Sequence, residues 1–157
     1  VFQLRPATDD DLPQIVAVIQ AAFAEYHERL DPPSSAQTRT LATTRAELAS
    51  GDAIVATIGA ELVGCVFCFP HSDHMYLARL AVLPAYRRHQ IGRTLIAAVE
   101  EQAAQAGLGY VRLSVRLALP ELRAAYERLG YTFLRYGTHP GYSAPTYVTL
   151  QKALDAV

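Results

Sequence analysis

The sequence has no tryptophan, one methionine, a single lysine (Lys152) and two cysteines in 157 residues. Two cysteines are too few for the disulfide framework of a small secreted domain, so a core must come from apolar packing, which a chain of this length can supply. The two are Cys65 and Cys68, in the C-x-x-C spacing that redox and metal sites also use. Both fall in the strand-like run Val63-Gly64-Cys65-Val66-Phe67-Cys68-Phe69, where residues three apart point to opposite faces. Two such thiolates would not converge on a metal, so no metal is expected, and a reducing compartment fits better than an oxidising one. No apolar run approaches the ~20 residues of a membrane span, and no basic-then-apolar segment opens the chain. Fourteen basic against fifteen acidic side chains leave a formal net charge of −1, which gives no global pull towards nucleic acid or anionic lipid. The expectation is a cytoplasmic protein with neither nucleic acid nor membrane as a partner. Attraction for an anion must be local.

What the chain does have is a regular alternation of elements. Phe2 to Arg5 reads as a strand ended by Pro6. Thr8 and the Asp9-Asp10-Asp11 run place negative charge at the positive end of a helix whose apolar positions are Leu12, Ile15, Val16, Ile19, Phe23 and Tyr26. A break at Asp31-Pro32-Pro33-Ser34-Ser35 precedes a second helix over Leu41 to Ala49. Ala53 to Ile58 and Glu61 to Phe69 are strands joined by a tight Gly59-Ala60 turn. His74 to Leu83 is a long apolar strand. A helix follows from Ile91 to Gly107, then a strand from Tyr110 to Leu117 with Val111, Leu113, Val115 and Leu117 on one face. Pro120 opens a helix that Gly130 stops. Strands over Tyr131 to Tyr136 and Thr146 to Lys152 close the chain. This order predicts one α/β domain over residues 1–157, a mixed sheet with helices on both faces.

The most specific stretch is Leu80-Ala81-Val82-Leu83-Pro84-Ala85-Tyr86-Arg87-Arg88-His89-Gln90-Ile91-Gly92-Arg93-Thr94-Leu95-Ile96. An apolar strand ends at Pro84, a basic turn follows, and an amphipathic helix opens. Free backbone N–H groups at a helix start beside clustered arginines suit a polyanion such as a diphosphate. This segment resembles motif A of the GNAT superfamily of N-acetyltransferases, R/Q-x-x-G-x-G/A after a strand, here Arg87-Arg88-His89-Gln90-Ile91-Gly92. Ala124-Ala125-Tyr126-Glu127-Arg128-Leu129-Gly130-Tyr131 is similar to the family's Y-E-x-L-G-F/Y element. The element order matches over essentially the whole chain. The resemblance implies a GNAT-like acyl-CoA N-acyltransferase fold with a mostly antiparallel, splayed sheet, and acetyl-CoA as cosubstrate. It implies cofactor contacts from the backbone edge of Leu80, Ala81 and Val82 and from the turn Arg87, Arg88, His89, Gln90, Ile91, Gly92, Arg93 and Thr94. Gln90 departs from the pattern: the family usually has glycine there, which takes backbone conformations costly for other residues.

The resemblance also gives Tyr126 the position whose hydroxyl protonates the departing CoA sulfur. The helix face Leu122, Ala125, Tyr126, Leu129 equally suits a packed core tyrosine. Many members carry an Asn near the start of that helix; Leu119 and Leu122 stand at the corresponding places. No carboxylate stands out as general base. The family often places one on the strand before the basic turn, where this chain has Tyr76. With an unbroken strand, His74, Tyr76 and Ala78 share a face, and His74 titrates near neutrality. Asp73, His71, Glu25, His27 and Glu28 are further candidates. Tyr26, His27, Arg29, Tyr136, His139, Tyr142 and Tyr147 give aromatic, weakly basic rims, which suit a small-molecule or peptide amine acceptor and equally a homodimer interface. The expected activity is transfer of acetyl from acetyl-CoA to a primary amine by direct attack. The alternative is a non-catalytic acyl-CoA-binding module or sensor on the same fold.

Overall fold

Hydrophobic residues that alternate between two faces dictate two cores, one on each side of a sheet. The computed structural model describes residues 1–155. Strands β1 (Gln3–Pro6), β2 (Asp52–Ile58), β3 (Glu61–Pro70), β4 (His74–Val82), β5 (Tyr110–Arg116), β6 (Thr132–Gly137) and β7 (Tyr147–Ala153) form one sheet in the order β1-β2-β3-β4-β5-β7-β6. Every neighbouring pair is antiparallel except β4 with β5. Helices α1 (Leu12–Phe23), α2 (Leu41–Glu47), α3 (Ile91–Gln105) and α4 (Pro120–Arg128) occur where the apolar periodicity places them. Among the described residues, no helix is long and apolar enough to cross a membrane.

Helix α1 buries Leu12, Ile15, Val18, Ile19 and Ala22 against Ala53, Val55, Cys65 and Phe67. Helix α3 buries Ile91, Leu95, Ile96, Val99 and Ala103 against Ile54, Ala56, Val63, Val66 and Cys68 on the opposite face. Each buried Leu, Ile or Val among them contributes about 1.5–3 kcal/mol by leaving water, and each Ala less. The cysteines thus belong to different cores, both fully buried and unpaired. Burial pushes the Cys65 thiol up to about 12 and Cys68 to about 11, so neither supplies a thiolate. Asp11 at the start of α1 accepts from the Thr8 N–H at 2.7 Å and pairs with Arg5 at 2.7 and 2.8 Å, so its carboxyl lies well below the usual range.

In two places regular alternation fails. Leu117 lies beyond the end of β5 and is 37% exposed, rather than continuing the buried row of Val111, Leu113 and Val115. Within β4, Cys65 pairs with Ala81 and Phe67 with Ala78, so the segment around Arg79 and Leu80 holds one residue more than its partner strand. Arg79 sits there at φ 54. Such a bulge reverses the facing of everything after it. Met75 and Leu77 face the α3 core and Ala78 the α1 core, yet Leu80 and Val82 face α3 and Ala81 faces α1. Unbroken alternation would have put Tyr76 and Val82 on one face; the bulge puts them on opposite faces.

Candidate functional site

Strands β4 and β5 pair only through His74, Met75 and Tyr76 with Tyr110, Val111 and Arg112. Beyond Tyr76 they part: β5 continues with β7, and β4 keeps only β3. The splay leaves the edge of β4 from Leu77 to Val82 without a strand partner on that side. A cavity of about 1300 Å³ fills the wedge, walled by that edge, by Leu113 to Arg116 of β5, by the end of α1, and by Leu119, Leu122 and Tyr126.

At one end stands the basic turn. After the 3-10 turn Pro84–Tyr86, Arg88 and Gln90 adopt left-handed backbone, φ 71 and 67, before α3 starts at Ile91. For side-chain-bearing residues each such position costs about 1–2 kcal/mol. Gln90 thus holds the conformation for which glycine is the usual residue. The Arg87 N–H bonds to the Pro84 carbonyl, and the Thr94 N–H to that of Gln90. Between them, among the described residues, the N–H groups of Arg88 through Arg93 donate to no protein acceptor. These are the orphan donors of a helix start, extended by the strained turn and reinforced by the helix dipole. Gly64 lets α3 approach: a Cβ there would stand 3.1 Å from Ile91 Cγ2 and 3.2 Å from the Ala81 carbonyl oxygen. At Gly92 a Cβ would meet only Val82 Cγ2 at 3.8 Å, so the protein itself does not demand glycine there.

Of the basic side chains, Arg87 is tied to the end of α1, donating to the Ala22 carbonyl at 3.0 Å and pairing with Glu25 at 2.5 Å. Arg88 and Arg93 line the cavity without an ion-pair partner among the described residues. Leu80, Ala81, Val82, Gln90, Ile91 and Gly92 also line it, whereas His89 and Thr94 do not. Thr94 instead donates its hydroxyl to the Gln90 carbonyl at 2.7 Å, pinning the turn.

The proposed acid and base candidates separate. Tyr126 lies on the cavity wall, edge-on to Tyr131 at 6.0 Å, and Tyr131 in turn donates to Glu100 of α3 at 2.9 Å. Burial, with nearby Tyr26, raises the Tyr126 phenol above its ordinary value, so it remains a proton donor through neutral pH. Tyr76 lines the cavity on the α1 side. His74 does not: its Nδ1 is 2.7 Å from Asp73, its ring stacks on His71 at 4.6 Å, and Arg112 approaches at 3.4 Å, all at the paired end of β4. Glu25 reaches the wall but is consumed by Arg87, and His27 and Glu28 are absent from it. Leu119 and Leu122 line it as apolar surface.

Three wall residues were not singled out by sequence reasoning. Glu47 of α2 accepts from Arg39 at 2.8 Å and from Arg79 Nε at 3.0 Å, and Arg116 donates to the Pro32 carbonyl at 2.7 Å. A signal existed for Arg79, the one charged residue in the apolar strand Met75 to Val82. None pointed to Glu47, whose partners are set by the packing of α2.

The model of the Acetyltransferase (GNAT) family matches residues 15–131. No curated protein matches the sequence. Among solved structures, the ribosomal-protein-S18-alanine N-acetyltransferase from Escherichia coli superposes with a TM-score of 0.76 at 20% identity, covering 100% of this chain and 96% of that one. A GCN5-related N-acetyltransferase from Rhodopseudomonas palustris gives 0.78 at 22%, covering 97% and 95%. The PaiA N-acetyltransferase from Thermoplasma acidophilum, in complex with coenzyme A, gives 0.76 at 16%, covering 98% and 99%. At these identities the likeness is one of fold.

Proposed function

This chain belongs to the GNAT family of acetyltransferases, and from that premise we propose that it transfers acetyl from acetyl-CoA to a primary amine in a ternary complex. The carrying observation is the run of N–H groups from Arg88 to Arg93, unsatisfied among the described residues, at the mouth of the splayed β4–β5 wedge. Such a cradle fits a diphosphate, and the open edge of β4 fits an amide-bearing arm laid alongside it like an added strand.

Acetyl-CoA supplies the acetyl group as a thioester whose sulfur can depart. The protein's residues divide the remaining work. Amides 88–93 hold the diphosphate, with Arg88 and Arg93 adding charge. The bulge at Arg79–Leu80 takes main-chain groups of β4 out of the ladder, where an N–H can meet charge developing on the acyl oxygen. Tyr126 gives its Oη proton to the sulfur as the C–S bond breaks, and the proton lost by the neutral amine as the C–N bond forms returns through solvent to the phenol. Tyr76, across the wedge on the α1 side, orients the acceptor amine. His74 is held by Asp73 away from the wall and takes no part in this reading.

Purified protein with acetyl-CoA and an amine panel should release free thiol. Tyr126→Phe should slow release about 100–10,000-fold, the usual worth of a positioned acid, while calorimetric CoA affinity changes less than about threefold. Because burial raises the phenol's pKa, the donor is present below that value and lost only above it. The rate should therefore not fall between about pH 8 and 10. A second reading, a non-catalytic acyl-CoA sensor, draws on Glu25 and Glu47: both wall carboxylates are already in ion pairs, leaving neither free as a base. Tight CoA binding with no thiol release on any amine selects the sensor. Absence of binding at millimolar CoA removes both readings.

A further inference from the structure

The charge on the α1 side of the cavity is unbalanced in one direction. Of its two wall carboxylates, Glu25 is paired with Arg87 and Glu47 bridges the guanidiniums of Arg39 and Arg79, so neither has charge left to offer a cationic ligand. Arg79, on the β4 bulge, spends only its Nε on Glu47; among the described residues its Nη groups have no protein acceptor. Arg116, across the wedge at the end of β5, is half-buried, and burial lowers its pKa. A guanidinium stays charged in proteins, so this is a desolvated cation. Among the described residues its side chain has one hydrogen bond, to the neutral Pro32 carbonyl at 2.7 Å, and no carboxylate within ion-pair distance, although the charge of Asp31 is felt from farther off. Val115 points into the α3 core, which sets Arg116 on the face where Tyr76 and the Pro32–Ser35 loop line the wall. A partly buried charge with no carboxylate in contact is under-compensated until a ligand provides an anion.

We propose that the acceptor is an amine carrying its own anionic group, a carboxylate or phosphate, which Arg116 and Arg79 bind from opposite walls while the amine faces the β4 bulge. Polyamines and other purely cationic amines are disfavoured by the same balance. This substrate class rests on the acetyltransferase reading and goes further than it.

The test uses CoA-saturated full-length protein and matched probes: L-phenylalanine against phenethylamine for the carboxylate, and phosphoethanolamine against ethanolamine for the phosphate. Calorimetry should show one anion-bearing probe binding about tenfold or more tighter than its twin, the worth of one charge-assisted contact. Which pair shows the ratio identifies the anion. Arg116→Gln should shrink the ratio to below about threefold, and Arg116→Lys should restore part of it. If Arg116→Gln does not fold, Arg79→Gln is read in its place. Equal binding within both pairs, tighter binding of the non-anionic twins, no binding of any probe, or a ratio that survives in the folded Arg variants overturns the proposal. The acetyltransferase reading fails separately, when CoA alone does not bind the wild-type protein.

Discussion

The two ends of the wedge are built by opposite means. At the turn, the groups that face the cavity are main-chain N–H donors set by backbone conformation, and the side chains mostly brace: Thr94 pins the Gln90 carbonyl and Arg87 ties the turn to α1. On the α1 side, side chains from α2, β4 and β5 are assembled by an ion-pair network whose centre, Glu47, holds Arg39 and Arg79. The first end tolerates changes of side chain and is sensitive to backbone shape and close approach. The second is sensitive to the loss of one charge.

The largest expected effect is at the second end. Arg39 has only 4% of its side chain exposed, its Nε has no hydrogen-bond partner among the described residues, and its carboxylate partner is Glu47. Glu47→Gln strands that cation and should cost about 3 kcal/mol, the low end of the range for breaking a buried pair because the Glu47 side chain is itself 24% exposed. Urea unfolding reads it as a lowered midpoint at unchanged slope. A loss under about 0.5 kcal/mol would mean the network is a solvated surface feature and would erase the contrast.

Next comes Gly92. A Cβ there meets no protein atom closer than 3.8 Å, so Gly92→Val should change unfolding by less than about 1 kcal/mol, the helix-propensity range. If the turn binds by its main chain, the same substitution should weaken CoA about 10–100-fold by keeping the diphosphate from the amides. Arg88→Ala, which removes an exposed charge and leaves the amide, should cost only a few-fold. The reverse order, with Arg88→Ala the more damaging, would place the affinity in side-chain charge and break the comparison.

The same contrast explains what could be read ahead of the structure. The element order, the tight Gly59-Ala60 turn and the opposed cysteines follow from local periodicity, and all occur as expected. The turn was legible because a main-chain site depends on spacing: strand, Pro84, basic residues, helix start. The bulge was not. Residues Met75 to Val82 alternate plausibly without it, and only pairing with β3 reveals the extra residue. Strand alternation groups His74 with Tyr76 because they share a face, which they do. The splay begins only past Tyr76, so His74 stays in the paired part of the strand. Glu47 and Arg116 act through partners eight to eighty-four positions away, and no local pattern carries such separations.

The smallest effect is at Gln90, and it tests whether the turn is backbone-limited. At φ 67 the glutamine side chain costs about 1–2 kcal/mol that glycine would not incur, while glycine gives back about 0.5–1 kcal/mol through the greater freedom of its unfolded chain. Gln90→Gly should therefore raise stability by roughly 0.5 kcal/mol, the difference of those two. Gln90→Val, β-branched at the same φ, should lower it by about 1 kcal/mol or more, because its stiff χ1 cannot relieve the crowding. Thermal unfolding of both variants gives the two signs. If Gln90→Gly destabilises instead, the glutamine side chain makes a contact that outweighs its backbone cost, and the turn is held by side chains like the other end of the wedge.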